Sequence, residues 1–186
     1  MDAPPPPHRD PECVQCHGRG ETCICALLRP LATRVKVLVL QHPLERHKRS
    51  NTGGLAVRML ANSELRAWEG PAAATLPEGQ GSWLLYPDAQ GPPPAPAAVA
   101  CIVVVDGSWS QARRMVQSPV LRQLPRLSLV LPEQRRSLRT APPGGMSTIE
   151  AIAHCLDGLG ELDAGAQLHA LHNALVERVL RTRGYL

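Results

Sequence analysis

Four short runs of uninterrupted apolar residues constrain this chain more than any other feature: VKVLVL (35–40), SWLLYP (82–87), ACIVVVD (100–106) and LSLVL (127–131). Each is short, bounded by turn-forming residues and rich in β-branched or large apolar side chains, the pattern of a strand. Because they run continuously rather than alternating, both faces of each strand are expected to be covered, as in a parallel sheet. Helical stretches separate them. TGGLAVRMLANSELRAW supplies the first, and SWSQARRMVQS the next, stopping before Pro119. STIEAIAHCLDGL sets Ile149, Ile152, Ala153 and Leu156 on one face, and a last segment over 160–183 repeats Leu168, Leu171, Leu175 and Val179 at helical spacing. The alternation predicts an α/β fold, a largely parallel sheet flanked by helices. AQGPPPAPAA (89–98) reads as a rigid, solvent-facing connector, and there is no internal repeat.

The 186 residues suit one domain with a small appendage. Phe is absent, so the core is aliphatic. Lys36 and Lys48 are the only lysines, and Arg carries the rest of a net charge of +4. Guanidinium pairs bidentately with phosphate and carboxylate, so the bias suits an anion-binding surface, although the charge is too small to establish one. No apolar run approaches the roughly 20 residues that span a bilayer. MDAPPPPHRDPE has no apolar signal core, and the expectation is a cytoplasmic protein.

Residues 1–12 form a Pro-rich tail expected to be disordered. Next comes CVQCHGRGETCIC, with Cys13, Cys16, Cys23 and Cys25 separated by two, six and one residues. The first pair has the loop geometry that turns two thiolates toward one ion, and Gly18 and Gly20 let the chain turn back. The reading is a structural zinc knuckle over 13–30 with four thiolate ligands, His17 being an alternative for one of them. Two disulfides or reactive thiols are the competing reading, which a reducing compartment disfavours. Cys101 and Cys155 are expected as small core residues.

In open α/β sheets ligands bind outside the carboxyl ends of the strands. Here those ends carry QHPLERHKRSNTGGL, LLYPDA, VVVDGSWSQ and RRSLRTAPPGGMSTIEA. There is neither a G-x-G-x-x-G nor a Walker loop. Ser108 with Gln111 and Ser147 with Glu150 match the capping box, and Asn51 and Thr52 stand where the first helix needs a cap. Such capping leaves room for function, because a capped helix N-terminus is itself an anion site. Asp106 ends a buried strand before a glycine, which fits either an Asx-turn or a functional acid. Trp109 sits beside that acid rather than on a periodic stripe. Arg113 and Arg114 fall in early turns of the predicted helix, against the dipole, which suggests either a negative partner or a solvated face.

Taken together these segments resemble the DTW-domain family, the tRNA-uridine aminocarboxypropyltransferases. DGSW (106–109) matches the name motif with Ser108 in place of Thr, keeping the hydroxyl. The four-cysteine segment, HPLE (42–45), NTGGL (51–55), LLYP (84–87) and LR…STIEA (138–151) follow in the family's order, over roughly residues 13–155. The resemblance implies a SPOUT-like α/β fold with a possible C-terminal knot, a catalytic domain over 31–186, and S-adenosylmethionine as donor of a 3-amino-3-carboxypropyl group to a uridine N3 in tRNA. It implies Asp106, Ser108 and Trp109 as catalytic residues. The donor pocket would be formed by Leu85, Tyr86, Pro87, Asp106, Gly107, Arg139, Ser147, Thr148, Glu150 and Ala151. His47, Lys48, Arg49, Asn51, Thr52, Arg113, Arg114, Arg135 and Arg136 would meet tRNA, through phosphates above all. The expected state is a monomer with no membrane partner. The competing readings are a SPOUT-type RNA methyltransferase and a zinc-stabilised RNA-binding module without catalysis; ribosomal RNA is the competing substrate.

Overall fold

The structure, a computed structural model, describes residues 11–46, 48, 51–72, 76–77, 81–87, 92–129 and 146–185. Five strands form one sheet: β1 (Lys36–Gln41), β2 (Ser63–Ala67), β3 (Ser82–Leu85), β4 (Cys101–Asp106) and β5 (Arg126–Leu127). Their order is β2-β1-β4-β3-β5, and every pairing is parallel. Among the described residues, helix α1 (Gly53–Met59) links β1 to β2, α2 (Trp109–Val116) and α3 (Pro119–Arg122) link β4 to β5, and α4 (Thr148–Gly158) and α5 (Leu162–Thr182) follow β5.

The strand period sorts the core into two layers. Val37, Val39, Ile102 and Val104 point toward α1, α4 and α5, where Leu55, Met59, Ile149, Ile152, Leu156 and Leu168 cover them. Leu38, Leu40, Val103 and Val105 point the other way, onto Ala112, Met115 and Val116 of α2 and Leu121 of α3. Burial on both faces explains why β1 and β4 read as unbroken apolar runs. Cys101 and Cys155 are core residues at 4% and 1% exposure, as expected.

One predicted helix is shorter than its sequence suggests. TGGLAVRMLANSELRAW is helical only to Met59, and its second half is strand β2 at the sheet edge. The Ser63 hydroxyl donates to the carbonyls of Val57 (2.8 Å) and Leu60 (2.6 Å), closing the end of α1 before the chain enters the sheet. The helix predicted to stop before Pro119 does stop, and Pro119 then opens α3. As a result Arg113 and Arg114 lie in the last turn of a short α2, where the dipole favours cations, which corrects their predicted early-turn placement. The segment between β5 and α4 includes residues 130–145, which lie outside the described residues, and the described residues do not establish the possible C-terminal knot.

The strand order creates a point where connections diverge. From β1 the chain runs through α1 to β2 on one side, and from β4 it runs through α2 and α3 to β5 on the other. The crevice outside the carboxyl ends of β1 and β4 is therefore the place where this architecture binds ligands. Gln41 and Asp106 end those two strands in direct register.

Candidate functional site

Asp106 is 4% exposed and sits at the divergence point with both carboxylate oxygens engaged. Oδ1 accepts from the Thr148 hydroxyl at 2.7 Å. Oδ2 accepts from the amides of Asn51 at 2.8 Å and Gln41 at 3.4 Å. Burial pushes its carboxyl above the usual range; the hydrogen bonds from Thr148, Gln41 and Asn51 oppose that shift, and nearby Glu45 adds to it. Its backbone carbonyl also receives the amide of His42 at 2.8 Å. A single side chain thus ties the ends of β1 and β4, the loop before α1 and the start of α4 into one polar node.

Gly53 makes room for that node. A Cβ built there would lie 2.8 to 3.0 Å from the Asp106 carboxyl atoms. Gly→Ala inside a helix ordinarily stabilises by about 0.4–1 kcal/mol. Here Gly53→Ala should instead destabilise by about 1–3 kcal/mol through overpacking, a reversal of sign that denaturant unfolding would read.

Both capping boxes are present. The Ser108 hydroxyl accepts from the Gln111 amide at 3.4 Å while the Gln111 side chain accepts from the Ser108 amide at 2.6 Å. Ser147 and Glu150 make the same exchange at 3.4 and 2.9 Å. Because Ser108 acts through its hydroxyl, Ser108→Thr should change stability by no more than a few tenths of a kcal/mol, whereas Ser108→Ala should cost about 1 kcal/mol; thermal melting of the two separates them. At the first helix the expected cap divides in two. The Asn51 side-chain oxygen accepts from the Gly54 amide at 3.2 Å. Thr52 occupies the cap position, but its hydroxyl accepts from the Ile149 amide of α4 at 3.3 Å instead.

The remaining expected donor-pocket residues surround this node unevenly. Leu85 is buried and Pro87 exposed at the end of β3, while the Tyr86 ring has the Arg126 guanidinium 5.6 Å from its centre. Glu150 is buried beside His172, with Nε2 and Oε2 3.6 Å apart, and the Ser147 hydroxyl lies 3.3 Å from the same nitrogen. Burial holds the His172 imidazole below its ordinary pKa, His169 acting in the same direction and Glu150 against it. Gly107 and Ala151 are half-buried, and Arg139 lies outside the described residues.

Trp109 opens α2 with 38% of its surface exposed, and no hydrogen bond joins it to Asp106 among the described residues. Of the expected RNA contacts, Arg113 and Arg114 are exposed. Lys48 is paired to buried Glu45 at 2.5 Å, and Thr52 is only 3% exposed. His47, Arg49, Arg135 and Arg136 are outside the described residues. Gln41, Gly53 and His172 escaped the sequence reading. Gln41 carried a signal, being the first polar residue after an apolar run that ends level with Asp106.

The four cysteines converge as well. Their sulfur atoms all lie within 4.8 Å of one another, with Cys13–Cys25 at 3.5 Å and Cys16–Cys23 at 3.7 Å. A zinc tetrahedron with Zn–S of about 2.3 Å has edges of about 3.8 Å, so the set fits that ion. The same distances are far from the roughly 2.05 Å of a disulfide. Backbone amides of Cys16 and Gln15 lower the Cys13 thiol to about 6, while burial and the neighbouring thiols push Cys25 up to about 12. Ile24 is fully buried and Cys16 nearly so, both within the α1/α4/α5 layer. Arg178 of α5 also donates to the Cys23 carbonyl. A second group, His154, Asp157 and His169, lies on the α4–α5 hairpin with His169 Nε2 already 2.9 Å from Asp157 Oδ2.

An open parallel sheet with a buried polar node at its divergent strand ends defines an α/β protein whose strand carboxyl termini form the candidate ligand site. A model of the DTW domain matches residues 10–180, and the chain belongs to that family. Among curated relatives, a tRNA-uridine aminocarboxypropyltransferase 2 of Macaca fascicularis is 28% identical over 124 residues, 58% of this chain and 42% of that protein. A protein of the same name from Mus musculus is 29% identical over 137 residues, 63% and 45% of the two chains. The chain thus spans less than half the length of these relatives. No solved structure matches it. Among the described residues no helix is long and apolar enough to cross a membrane.

Proposed function

We propose that this chain transfers the 3-amino-3-carboxypropyl group of S-adenosylmethionine to N3 of a uridine in tRNA, acting as a cytoplasmic monomer with a structural zinc ion on Cys13, Cys16, Cys23 and Cys25. The observation that carries this reading is the Asp106 node at the divergent strand ends of a DTW-family chain. In the reaction N3 gives up its proton to solvent water, an N3–C bond forms and the C–S bond breaks. Its electron pair neutralises the sulfonium, so that methylthioadenosine leaves. The catalytic problem is mainly one of presenting the correct carbon of the sulfonium to N3, which is positioning chemistry.

The donor would lie across Leu85–Pro87, Asp106–Gly107 and Ser147–Ala151, with Arg139 at its carboxylate. Asp106, with both oxygens taken by side-chain donors, acts on this reading as the clamp that sets those segments rather than as the base that removes the N3 proton. Ser108 caps α2, and the exposed Trp109 offers a stacking face for a base. Arg113, Arg114, Arg135, Arg136, His47 and Arg49 would meet phosphates.

Chromatography of the adenosine product tests the reaction class. Incubation with S-adenosylmethionine and unmodified tRNA should yield methylthioadenosine. Appearance of S-adenosylhomocysteine instead would make the chain a methyltransferase, and recovery of the donor unchanged would leave a binding module.

A further inference from the structure

Beside the Asp106 node lies a groove of about 320 Å³ whose lining includes, of the expected site residues, only Asn51, Cys16 and the alternative metal ligand His17. It runs between residues 15–17 of the cysteine knuckle, the exposed side of α1 and the end of edge strand β2. Its volume is at the lower end of the range for small-ligand pockets, about 300–1,000 Å³, and suits one nucleotide rather than a folded partner. Leu65 and Ala67 of edge strand β2 give it an apolar wall, and Leu65 is 40% exposed.

Its polar groups are arranged for an anion and a heterocycle. Arg46 and Arg58 both line it, and among the described residues neither guanidinium has a hydrogen-bond or ion-pair partner. Elsewhere Arg19, Arg34 and Arg66 are each paired to a carboxylate. Gln41 and Asn51 close the inner end, and both donate to Asp106, which places the groove directly against the node. The Gln41 side-chain oxygen accepts no hydrogen bond among the described residues, so this lining residue keeps an unused amide acceptor.

We propose that this groove seats one unstacked nucleotide of a single-stranded RNA segment, its phosphate on Arg46 and Arg58 and its base over Leu65 and Ala67 at the Gln41 amide. The assignment rests on the RNA-modifying function proposed above and deepens it. The acceptor would enter from the β1/β2 side and the donor from the β3/α4 side, the two meeting over the Asp106 node that ties those sides together. The knuckle then forms one wall of the acceptor site in addition to holding metal.

The whole chain, purified in the presence of zinc, and an Arg46→Glu/Arg58→Glu variant test this. Fluorescence anisotropy with a labelled oligouridylate and with tRNA should show binding about ten- to a hundredfold weaker in the variant, as expected for loss of charge-assisted contacts. The slope of affinity against salt should also be shallower. Calorimetric affinity for S-adenosylmethionine and the melting temperature should match the parent's, separating a lost RNA contact from a damaged fold. A 4-thiouridine-substituted RNA should crosslink to peptides containing residues 15–17, 54–58 or 65–67. Equal RNA affinity in the two proteins, or crosslinks confined to other surfaces, overturns the groove assignment. If the parent modifies tRNA and the variant does so with unchanged KM, the groove assignment falls while the proposed reaction stands. If the parent crosslinks through the groove yet transfers nothing from S-adenosylmethionine, the reaction falls and the groove stands.

Discussion

Asp106→Ala is expected to cost about 3–5 kcal/mol of stability and at least a hundredfold in transfer activity. The side chain is buried and is the shared acceptor for Thr148, Asn51 and Gln41. Removing it takes the acceptor from buried Gln41 and half-buried Asn51 and Thr148, at about 1–3 kcal/mol for each donor left unsatisfied. It also frees the start of α4 from the loop before α1. Asp106→Asn is the informative companion. An amide oxygen in the place of Oδ2 can accept from Asn51 and Gln41, and its NH2 group can donate to the Thr148 oxygen, so the node survives without its charge. If Asp106 is a clamp, Asp106→Asn should stay within about 1 kcal/mol of the parent and within about tenfold in rate. A rate loss of about 10²–10⁴-fold in a well-folded Asp106→Asn protein would assign Asp106 the proton abstraction instead.

The same residue predicts a pH dependence of stability. Burial raises the Asp106 pKa above 3.8, so between that value and its raised folded value the folded state holds more protons than the unfolded chain. This group's contribution is therefore fully present below 3.8 and is lost as pH rises through the folded pKa. The melting temperature of Asp106→Asn relative to the parent should increase across that window; a flat or falling difference would contradict a carboxyl raised by burial.

Loss of the proposed zinc ion from the knuckle is expected to be the second large effect. Four thiols at tetrahedral spacing form a site whose binding energy becomes folding energy, and here the knuckle carries fully buried Ile24 into the α1/α4/α5 layer. Chelation, or Cys16→Ser, should therefore destabilise the whole domain rather than fray an appendage. A cost of about 4 kcal/mol lowers the melting temperature by about 10 °C in a protein of this size. Elemental analysis should find one zinc per chain in the parent and a sharp loss in Cys16→Ser. Affinity should fall as pH drops and the sulfurs are protonated. A parent that holds no zinc and melts identically with and without chelator would remove the metal from the account.

Strands β1 and β4 were legible nearly to the residue because both their faces are buried, and continuous apolar composition is what such burial requires. The capping boxes at Ser108 and Ser147 were legible because they are local, closed within four residues. Strand β2 was not. SELRA is an edge strand with mixed exposure, and it follows a helix without a glycine or proline between them. Its strand character comes from pairing with β1, and the stop of α1 comes from Ser63 bonding back to Val57 and Leu60. Asp106 stood out as a strand-end acid, but its partners lie 42 to 65 residues away in the chain. That the node would draw Asn51 and Thr148 inward was therefore invisible to spacing. The need for glycine at position 53 was hidden for the same reason, since the Cβ it lacks would meet a side chain from another strand.

The central claim is that Asp106 and the segments it ties together position a uridine N3 against the aminocarboxypropyl carbon of S-adenosylmethionine. Mass spectrometry of nucleosides from tRNA incubated with the protein and the donor tests it most directly. The account predicts a uridine heavier by one aminocarboxypropyl group, formed by the parent, abolished by Asp106→Ala and retained by Asp106→Asn. A methyl-sized increment, an unmodified uridine with the parent, or full activity in Asp106→Ala would contradict it.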